Sequence, residues 1–304
     1  MSSSTPPIAI IGAGLMGHGI AQVFALSAHP VRMFDPSASA LSSVHQRIAA
    51  NLAALGQGQD ALRHVSLHET LGNAVKDAHF VFECGPEDLS LKQALFAEIE
   101  AGAPASAILA SNTSVIPITA IMRRVRDATR ALGTHWWNPP YLIPLVEVIR
   151  TVRTSNESIE RTLALLTSVG KTPVRVERDV PGFVGNRLQH ALWREAIALV
   201  QAGICDARTV DTVVKASFGR RLAVLGPLEN ADLVGTDLTL AIHNTVLPHL
   251  NRSDSALPLL RQLVSEGKLG MKSGEGFRRW SQNDRAEISA RLLRHLQRLG
   301  SDVS

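Results

Sequence analysis

The sequence predicts an α/β protein in which a doubly wound parallel sheet is followed by an all-α C-terminal domain. From residue 8 to residue 176, short β-rich apolar runs alternate with longer segments of helical spacing. Such alternation implies right-handed crossover connections and a parallel sheet covered by helices on both faces. After residue 180 the helical patterns continue, whereas convincing strand alternation stops. We therefore predict two domains, one over residues 1–180 and one over residues 181–304.

The individual elements follow from the spacing of apolar residues and from the turn residues between them. Strands are predicted at residues 8–11, 31–34, 80–82, 108–110 and 174–176. Helices of the first domain are predicted at residues 13–28, 38–55, 91–101 and 158–169. Helices of the second domain are predicted at residues 183–202, 207–217, 237–250 and 257–266.

The composition is typical of a globular protein. The chain has 304 residues, of which 45% are hydrophobic and 19% charged. No apolar stretch reaches the roughly 18 residues that a membrane span needs. Residues 1–7 lack the basic and apolar regions of a secretory signal, and two cysteines, Cys84 and Cys205, cannot form a disulfide framework. We expect a cytoplasmic protein without a membrane partner.

The formal net charge of +4 does not by itself indicate a nucleic-acid-binding protein. The basic residues occur in short groups, such as Arg123, Arg124 and Arg126, and no basic run is interleaved with aromatic residues. A solvated helix face accounts for a group of this kind. We therefore predict no nucleic-acid partner.

A glycine-rich turn, Gly12-Ala13-Gly14-Leu15-Met16-Gly17, joins the first predicted strand to the first predicted helix. This context is what a dinucleotide-binding turn requires. Gly12 permits the tight turn, Gly14 lets a pyrophosphate approach the backbone, and Gly17 lets the helix pack closely on the strand. The helix N-terminus, which includes Leu15 and Met16, offers free N–H groups to the phosphates.

Asp35 closes the second predicted strand. A carboxylate at this position can accept hydrogen bonds from both ribose hydroxyls of an adenosine, and its charge repels a 2′-phosphate. The sequence therefore predicts NAD, rather than NADP, as the cofactor of a Rossmann-type domain. A glycine turn without a ligand is the alternative.

A histidine and a glutamate in the middle of the chain predict a general base. His135 stands at a strand end before the polar turn Trp136-Trp137-Asn138-Pro139-Pro140, and Glu147 lies inside the apolar run 145–149. A carboxylate there is costly to bury unless it is paired, and an imidazole N–H is a natural partner. Such a pair fixes the histidine tautomer and stabilises the imidazolium. A structural salt bridge of Glu147 is the alternative.

Four polar residues, Ser111 to Ser114, follow the predicted strand at residues 108–110. Open α/β sheets bind ligands at the carboxyl ends of their strands, which makes these residues candidate ligand contacts. Helix N-capping is the alternative for Ser114. No cluster of His, Cys and Asp has ligand spacing, so no metal is predicted, and Cys84 is interpreted as a packing residue.

Five motifs resemble those of the L-3-hydroxyacyl-CoA dehydrogenase family, in the family's order and nearly its spacing. They are Ser-Asn-Thr-Ser at 111–114, His-Trp-Trp-Asn-Pro at 135–139, Leu-Val-Glu-Val at 145–148, Pro-Gly-Phe-Val-Gly-Asn-Arg at 181–187 and Gly-Met-Lys-Ser-Gly-Glu-Gly-Phe at 270–277. The resemblance implies an NAD-dependent oxidoreductase with its active site in the cleft between the domains. It also implies that the helical C-terminal domain forms a homodimer and contributes to substrate binding.

The resemblance implies a role for each residue that matches a motif. His135 would be the general base and Glu147 its orienting partner. Ser114, Asn138 and Asn186 would contact the substrate oxygens or the nicotinamide. The further cofactor contacts that the resemblance implies are Glu87, Lys92, Asn112 and Lys272.

Two features differ from the family members that act on acyl-CoA. Those members usually carry a Lys-rich helical insertion that meets the CoA phosphates, whereas residues 36–75 here contain Arg47, Arg63 and no Lys. The segment 219–227 instead resembles that of members acting on small free acids, such as gulonate dehydrogenase (lambda-crystallin). Arg220 and Arg221 precede a stretch suited to burial, so we expect an anionic partner for at least one of them. That partner is either the substrate carboxylate, at Arg221, or an internal carboxylate.

These observations predict an enzyme that oxidises an L-3-hydroxy substrate to the 3-keto product with NAD. A small carboxylic acid is the predicted substrate, and an L-3-hydroxyacyl-CoA of fatty-acid or butanoyl-CoA metabolism is the alternative. A non-catalytic NAD-binding protein is the second alternative. The intact pair of His135 and Glu147 argues against it, since function rests on the site rather than on the fold.

Overall fold

The computed structural model describes residues 5–301, which form two compact units. The first unit contains residues 5–186 and 295–301, and the second contains residues 187–294. The first unit continues past residue 180 because backbone N–H groups of Val184 and Gly185, and the side chain of Asn186, hydrogen-bond to residues of the sheet domain.

The first unit is built on a single eight-stranded sheet. Its strands are β1 (Ile8–Ile11), β2 (Val31–Phe34), β3 (Val65–Leu67), β4 (Phe80–Glu83), β5 (Ile108–Ser111), β6 (Ala131–Trp136), β7 (Leu145–Ile149) and β8 (Thr172–Val176). Their order across the sheet is β3-β2-β1-β4-β5-β6-β7-β8. Every neighbouring pair is parallel except β6 and β7, which are antiparallel because a short loop without a helix joins them.

Helices of the first unit cover the sheet, and helices make up most of the second. They are α1 (Leu15–Leu26), α2 (Ala38–Ser42), α3 (Val44–Ala54), α4 (Leu71–Val75), α5 (Leu89–Gly102), α6 (Ile118–Ile121), α7 (Asn156–Ser168), α8 (Gly185–Gln201), α9 (Ala207–Ala216), α10 (Pro227–Val234), α11 (Thr236–Val246), α12 (Pro258–Ser265) and α13 (Gln282–Ser301). The predicted fold class, a Rossmann-type sheet domain followed by a helical domain, is confirmed.

The structure differs from the sequence prediction in particular elements. The single helix predicted at residues 38–55 is two helices, α2 and α3, which meet at Ser43. The Ser43 hydroxyl donates to the Ala40 carbonyl at 2.8 Å, a local bond of the kind that competes with helical hydrogen bonding. The sequence analysis also did not predict β3, β7, α4, α6, α10 and α13.

The sheet is buried on both faces, as a parallel sheet between helices must be. Strands β1, β4, β5 and β6 are buried along their whole length. Alternate residues of β1 belong to two separate apolar clusters, with Ile8 and Ile10 in one and Ala9 and Ile11 in the other. This packing brings the carboxyl ends of the central parallel strands to one edge, where the candidate site lies.

Within residues 5–301, no helix is long and apolar enough to cross a membrane.

Candidate active site

The glycine turn after β1 has the geometry that a dinucleotide requires. Gly12 has φ +108°, and a Cβ there would lie 2.7 Å from the Cys84 carbonyl oxygen. A Cβ at Gly17 would lie 1.8 Å from the Gly12 carbonyl oxygen. A Cβ at Gly14 would meet no atom within 4 Å. The protein's own packing therefore demands the first and third glycines, whereas the second leaves room for a pyrophosphate to approach.

The helix that follows this turn begins without a side-chain cap. Gly14 is the N-cap of α1, and no side chain of residues 5–301 caps the first turn, which starts at Leu15 and Met16. Uncapped N–H groups at the positive end of a helix dipole suit an anionic ligand. The turn and the helix together thus fit the phosphates of a dinucleotide.

Asp35 lies beside the glycine turn, as the sequence predicts for a ribose-binding carboxylate. Its Oδ2 accepts a hydrogen bond from the N–H of Ala13 at 2.6 Å, and its Oδ1 accepts one from Ser37 at 2.8 Å. The carboxylate therefore ties the end of β2 to the cofactor turn, a contact that the sequence analysis did not foresee.

Arg47 of α3 also supports the glycine turn. Its Nη2 donates to the carbonyls of Ala13 and Ala40, and its Nη1 lies 3.3 Å from Nδ1 of His18. The same His18 nitrogen hydrogen-bonds to the Gly14 carbonyl at 2.8 Å. Burial lowers the pKa of His18, the bond to Gly14 opposes this, and the charge of Arg47 lowers the pKa further. The Arg47 guanidinium is thus occupied by hydrogen bonds to residues in and beside the glycine turn.

The predicted pair of His135 and Glu147 is present. The two residues lie opposite each other in the antiparallel register of β6 and β7, and Nδ1 of His135 is 2.7 Å from Oε2 of Glu147. His135 is 4% exposed and packs between the rings of Trp137 and Phe183, with centroids 5.2 and 5.6 Å away. Its Nε2 makes no hydrogen bond within the described residues, which leaves that nitrogen for a substrate proton.

Three donors hold the Glu147 carboxylate. Besides His135, the backbone N–H groups of Val184 and Gly185 donate to Oε1 at 2.9 and 3.0 Å. Burial acts to raise the pKa of Glu147, but these hydrogen bonds and the charge of His135 outweigh it, so the pKa lies below its ordinary value. Glu147 is therefore an anion at neutral pH. The sequence analysis missed the two backbone donors, although the glycine at position 185 is a signal of close packing at this point of the chain.

Gly185 must be a glycine at the start of α8. A Cβ there would lie 2.4 Å from Cζ2 of Trp137, the ring that also packs on His135. The missing side chain lets the indole and the helix N-terminus approach the pair of His135 and Glu147 from two sides. Gly185 is thus required for the close packing around His135 and Glu147.

The polar residues after β5 are joined to their surroundings. The Asn186 side chain donates to the Ser114 carbonyl at 2.9 Å, and Asn112 Oδ1 accepts from the N–H of Trp136 at 3.0 Å. The Ser114 hydroxyl makes no hydrogen bond within the described residues, and Asn138 is exposed with an equally free side chain. Ser114 does not cap α6, since Asp179 accepts from the first N–H groups of that helix.

Two predicted cofactor contacts, Glu87 and Lys92, make internal bonds. Glu87 accepts hydrogen bonds from the Thr113 hydroxyl, at 2.7 Å, and the Ser114 N–H, at 2.5 Å. Lys92 is 1% exposed, and its ammonium lies 2.7 and 3.0 Å from the oxygens of the buried Glu83. A direct contact of either side chain with the cofactor stays a prediction.

The remaining predicted residues, Lys272, Arg220 and Arg221, lie in the second unit. None of the three has an ion pair or a side-chain hydrogen bond within the described residues. The stretch after Arg221 is exposed rather than buried, with Val224 at 82%. The expected burial of this stretch is therefore not seen within a single chain, and an anionic partner of Arg221 stays a prediction. Contacts of Lys272 with cofactor and of Arg221 with substrate stay predictions.

Among the described residues, no group of three or more His, Cys, Asp or Glu side chains could hold a metal ion. Cys84 has no catalytic partner there, and burial raises the pKa of its thiol far above the ordinary value.

A dinucleotide turn on a Rossmann-type sheet, together with a histidine hydrogen-bonded to a buried carboxylate, is typical of a nicotinamide-dependent dehydrogenase. Comparison with known proteins agrees. Residues 7–180 match the model of the 3-hydroxyacyl-CoA dehydrogenase NAD binding domain, and residues 182–280 match that of the 3-hydroxyacyl-CoA dehydrogenase C-terminal domain. The chain belongs to the 3-hydroxyacyl-CoA dehydrogenase family, and NAD is its cofactor. The family resemblance and the cofactor predicted from the sequence are confirmed.

Relatives and solved structures of this family cover most of the chain. The 5-formyl-3-hydroxy-2-methylpyridine 4-carboxylate 5-dehydrogenase of Mesorhizobium japonicum is 34% identical over 95% of this chain and 95% of its own. L-carnitine dehydrogenase of Streptomyces griseus is 39% identical over 75% of this chain and 69% of that protein. A crystal structure of a 5-formyl-3-hydroxy-2-methylpyridine 4-carboxylic acid 5-dehydrogenase, an NAD⁺-dependent dismutase, matches with a TM-score of 0.90 and 33% identity, covering 97% of each chain.

We expect alanine to have different effects at Gly14 and at Gly17 of the glycine turn. We expect Gly17→Ala to lower the free energy of unfolding by about 2–3 kcal/mol, because the new Cβ forces the backbone to shift. Gly14→Ala is the matched control, since its φ of −66° suits alanine and its surroundings are open. It should change stability by less than about 0.5 kcal/mol but weaken NADH binding about tenfold.

Urea unfolding measures the two stabilities, and NADH fluorescence titration measures binding. Normal stability of Gly17→Ala, or wild-type NADH affinity of Gly14→Ala, would contradict the assigned roles of these glycines.

Proposed function

We propose that this protein oxidises the hydroxyl of a small L-3-hydroxy carboxylic acid to the 3-keto acid, with His135 as the general base. The observation that carries the proposal is the buried hydrogen bond between His135 Nδ1 and Glu147. That bond leaves Nε2 as the proton-accepting atom, because the carboxylate holds the proton on Nδ1. When bound, NAD supplies the hydride acceptor.

The protein's part in the reaction is to take the hydroxyl proton and to stabilise the imidazolium that results. Glu147 remains ionised because three donors hold its pKa down, and its charge offsets that of the protonated ring. The rings of Trp137 and Phe183 flank the imidazole and exclude water from its faces. A low local dielectric strengthens the interaction within the pair.

Ser114, Asn138 and Asn186 are the proposed contacts of the substrate oxygens or the nicotinamide. The free hydroxyl of Ser114 and the free amide of Asn138 supply donors on two neighbouring strand ends, after β5 and β6. The bond from Asn186 to the Ser114 carbonyl orients the residue that carries this hydroxyl. Such groups can stabilise negative charge that develops on the reacting oxygen.

The internal use of Arg47 favours a small acid over an acyl-CoA as the substrate. A CoA moiety carries several phosphate charges, which proteins meet with Lys and Arg. Residues 36–75 contain two Arg and no Lys, and Arg47 is bonded to backbone carbonyls of the cofactor half. Arg63 is then the cation left in this region. Two similar proteins are named for a pyridine carboxylate and for L-carnitine, which supports the same choice.

We also propose that the second unit pairs with a second copy of the chain. Among residues 187–294, all of which the structure describes, Leu257 is the only buried side chain. A cavity of about 610 Å³ in this unit is lined largely by apolar side chains. Large exposed apolar side chains of the unit include Ile204, Val224, Leu228, Leu233 and Leu240. Apolar exposure of this extent is typical of an interface, and symmetric dimers are the commonest oligomers. The cytoplasmic location expected from the sequence stays a prediction.

Removal of the base tests the proposed reaction. His135→Ala should lower kcat by about 10²–10⁴-fold, the usual contribution of a general base, with NADH affinity nearly unchanged. Glu147→Gln should also lower kcat, because the imidazolium loses its anionic partner. His79→Ala is the matched control, because His79 is exposed and its side chain makes no hydrogen bond to the residues that the structure describes. Initial rates of NADH formation at 340 nm measure these effects, and near-normal turnover of His135→Ala would refute the assignment.

A panel of 3-hydroxy acids and 3-hydroxyacyl-CoA esters tests the substrate class. We expect higher kcat/KM for a free acid, and Arg221→Met should reduce that value by roughly 30- to 1000-fold if Arg221 binds the carboxylate. Oxidation of the methyl ester of the same acid is the internal control and should fall much less. Equal losses on acid and ester would assign Arg221 to the fold. A clear preference of the wild type for CoA esters would overturn the small-acid proposal.

Light scattering tests the dimer. We expect a mass near twice the 32.7 kDa of one chain at micromolar concentration. A monomer mass at that concentration would count against pairing of the second unit.

A further inference from the structure

Lys171 is a buried cation that the proposed reaction does not use. It stands between α7 and β8 and is 9% exposed. Within the described residues it has no carboxylate partner, and burial alone lowers the pKa of its amine to about 8. Burial of an ammonium is costly unless its donors are satisfied. A buried ammonium with this free-energy cost is expected to have a structural or functional role.

The ammonium donates its hydrogen bonds to the loop that follows the catalytic histidine. Its acceptors are the carbonyls of Pro140 and Ile143, the latter at 3.0 Å. Both belong to residues 137–144, which connect β6 to β7 and carry Asn138. Nζ also lies 5.5 Å from the ring centroid of Trp136, the neighbour of His135. The cation thus contacts the chain on the carboxyl side of the base at three points.

On its other side, the same loop contacts α1 and α3, the helices that follow β1 and β2. The Tyr141 hydroxyl donates to Asn51 of α3 at 3.2 Å. Pro140 packs against α1 so closely that a Cβ at Gly19 would lie 2.6 Å from its Cγ. Lys171 therefore supplies the anchor on the sheet side and completes the fixation of a loop that has few regular backbone hydrogen bonds.

We propose that Lys171 is a positioning residue for the dehydrogenase reaction, whose ammonium fixes loop 137–144 and so holds Trp137 and Asn138 in place beside His135. The proposal rests on the proposed function of His135. Removal of the donors leaves the buried Pro140 carbonyl and the partly buried Ile143 carbonyl without this partner, so we expect the loop to open or move to hydrate them. Misplacement of a substrate-contacting group by about 1 Å can cost on the order of 10²-fold in rate.

Hydrogen exchange tests the loop without any substrate. In Lys171→Met, peptides that cover residues 137–144 should exchange faster than in the wild type, whereas peptides that cover the glycine turn at residues 12–17 should not change. Lys76→Met is the matched control, because Lys76 is exposed and its side chain has no hydrogen bond among residues 5–301. Unchanged exchange at residues 137–144 would overturn the proposal, whatever the activity.

Kinetics test the catalytic consequence. We expect kcat of Lys171→Met to fall about 10- to 100-fold, with the NADH dissociation constant within about threefold of the wild type. Lys171→Arg, which keeps the charge and the donors, should recover much of the loss. If activity, NADH binding and melting temperature fall in parallel in Lys171→Met, and Lys171→Arg recovers none of them, Lys171 serves only the fold and the proposal is wrong.

Wild type and His135→Ala run beside these variants separate the two ideas. Absence of turnover in the wild type, or full turnover in His135→Ala, refutes the proposed function. The exchange result at residues 137–144 stands apart from both outcomes.

Discussion

The rest of the active site depends on the hydrogen bonds of one buried carboxylate. Glu147 is 1% exposed and accepts from the His135 ring and from the N–H groups of Val184 and Gly185. A buried charge without partners costs several kcal/mol, so these three donors must stay where they are for the fold to hold. The same bonds join β6, β7 and the start of α8. One constraint thus orients the His135 ring and fixes the chain that leads to Asn186.

Charged side chains hold the irregular segments around the site by bonding to backbone groups. Asp35 and Asp179 accept from N–H groups, and Arg47 and Lys171 donate to carbonyls. Turns lack the regular partners of helices and strands, and charge-assisted hydrogen bonds replace them with stronger ones. Within residues 36–75, this use of Arg47 leaves Arg63 as the other Lys or Arg side chain, which links the architecture of the glycine turn to the proposed choice of a small acid.

The local sequence determined the central parallel strands, the glycine turn and the pair of His135 and Glu147. Apolar runs such as residues 8–11 are long enough to identify buried strands, and Gly12 and Gly17 have steric reasons that belong to the turn itself. His135 and Glu147 could be paired from sequence because a carboxylate inside an apolar strand needs a partner. Their cross-strand register then placed them opposite each other.

Only the tertiary structure decided which partners the other polar residues take. Lys92 bonds to Glu83, Asp179 rather than Ser114 caps α6, and the stretch after Arg221 is exposed. Strand β3 was not predicted because three residues are too few to show the alternation of apolar and polar residues that identifies a strand. The two hydrogen-bonded outcomes depend on contacts between different elements of the fold, which local spacing does not specify. A side chain's hydrogen-bond partner is set by which backbone groups the completed fold brings within about 3 Å of it.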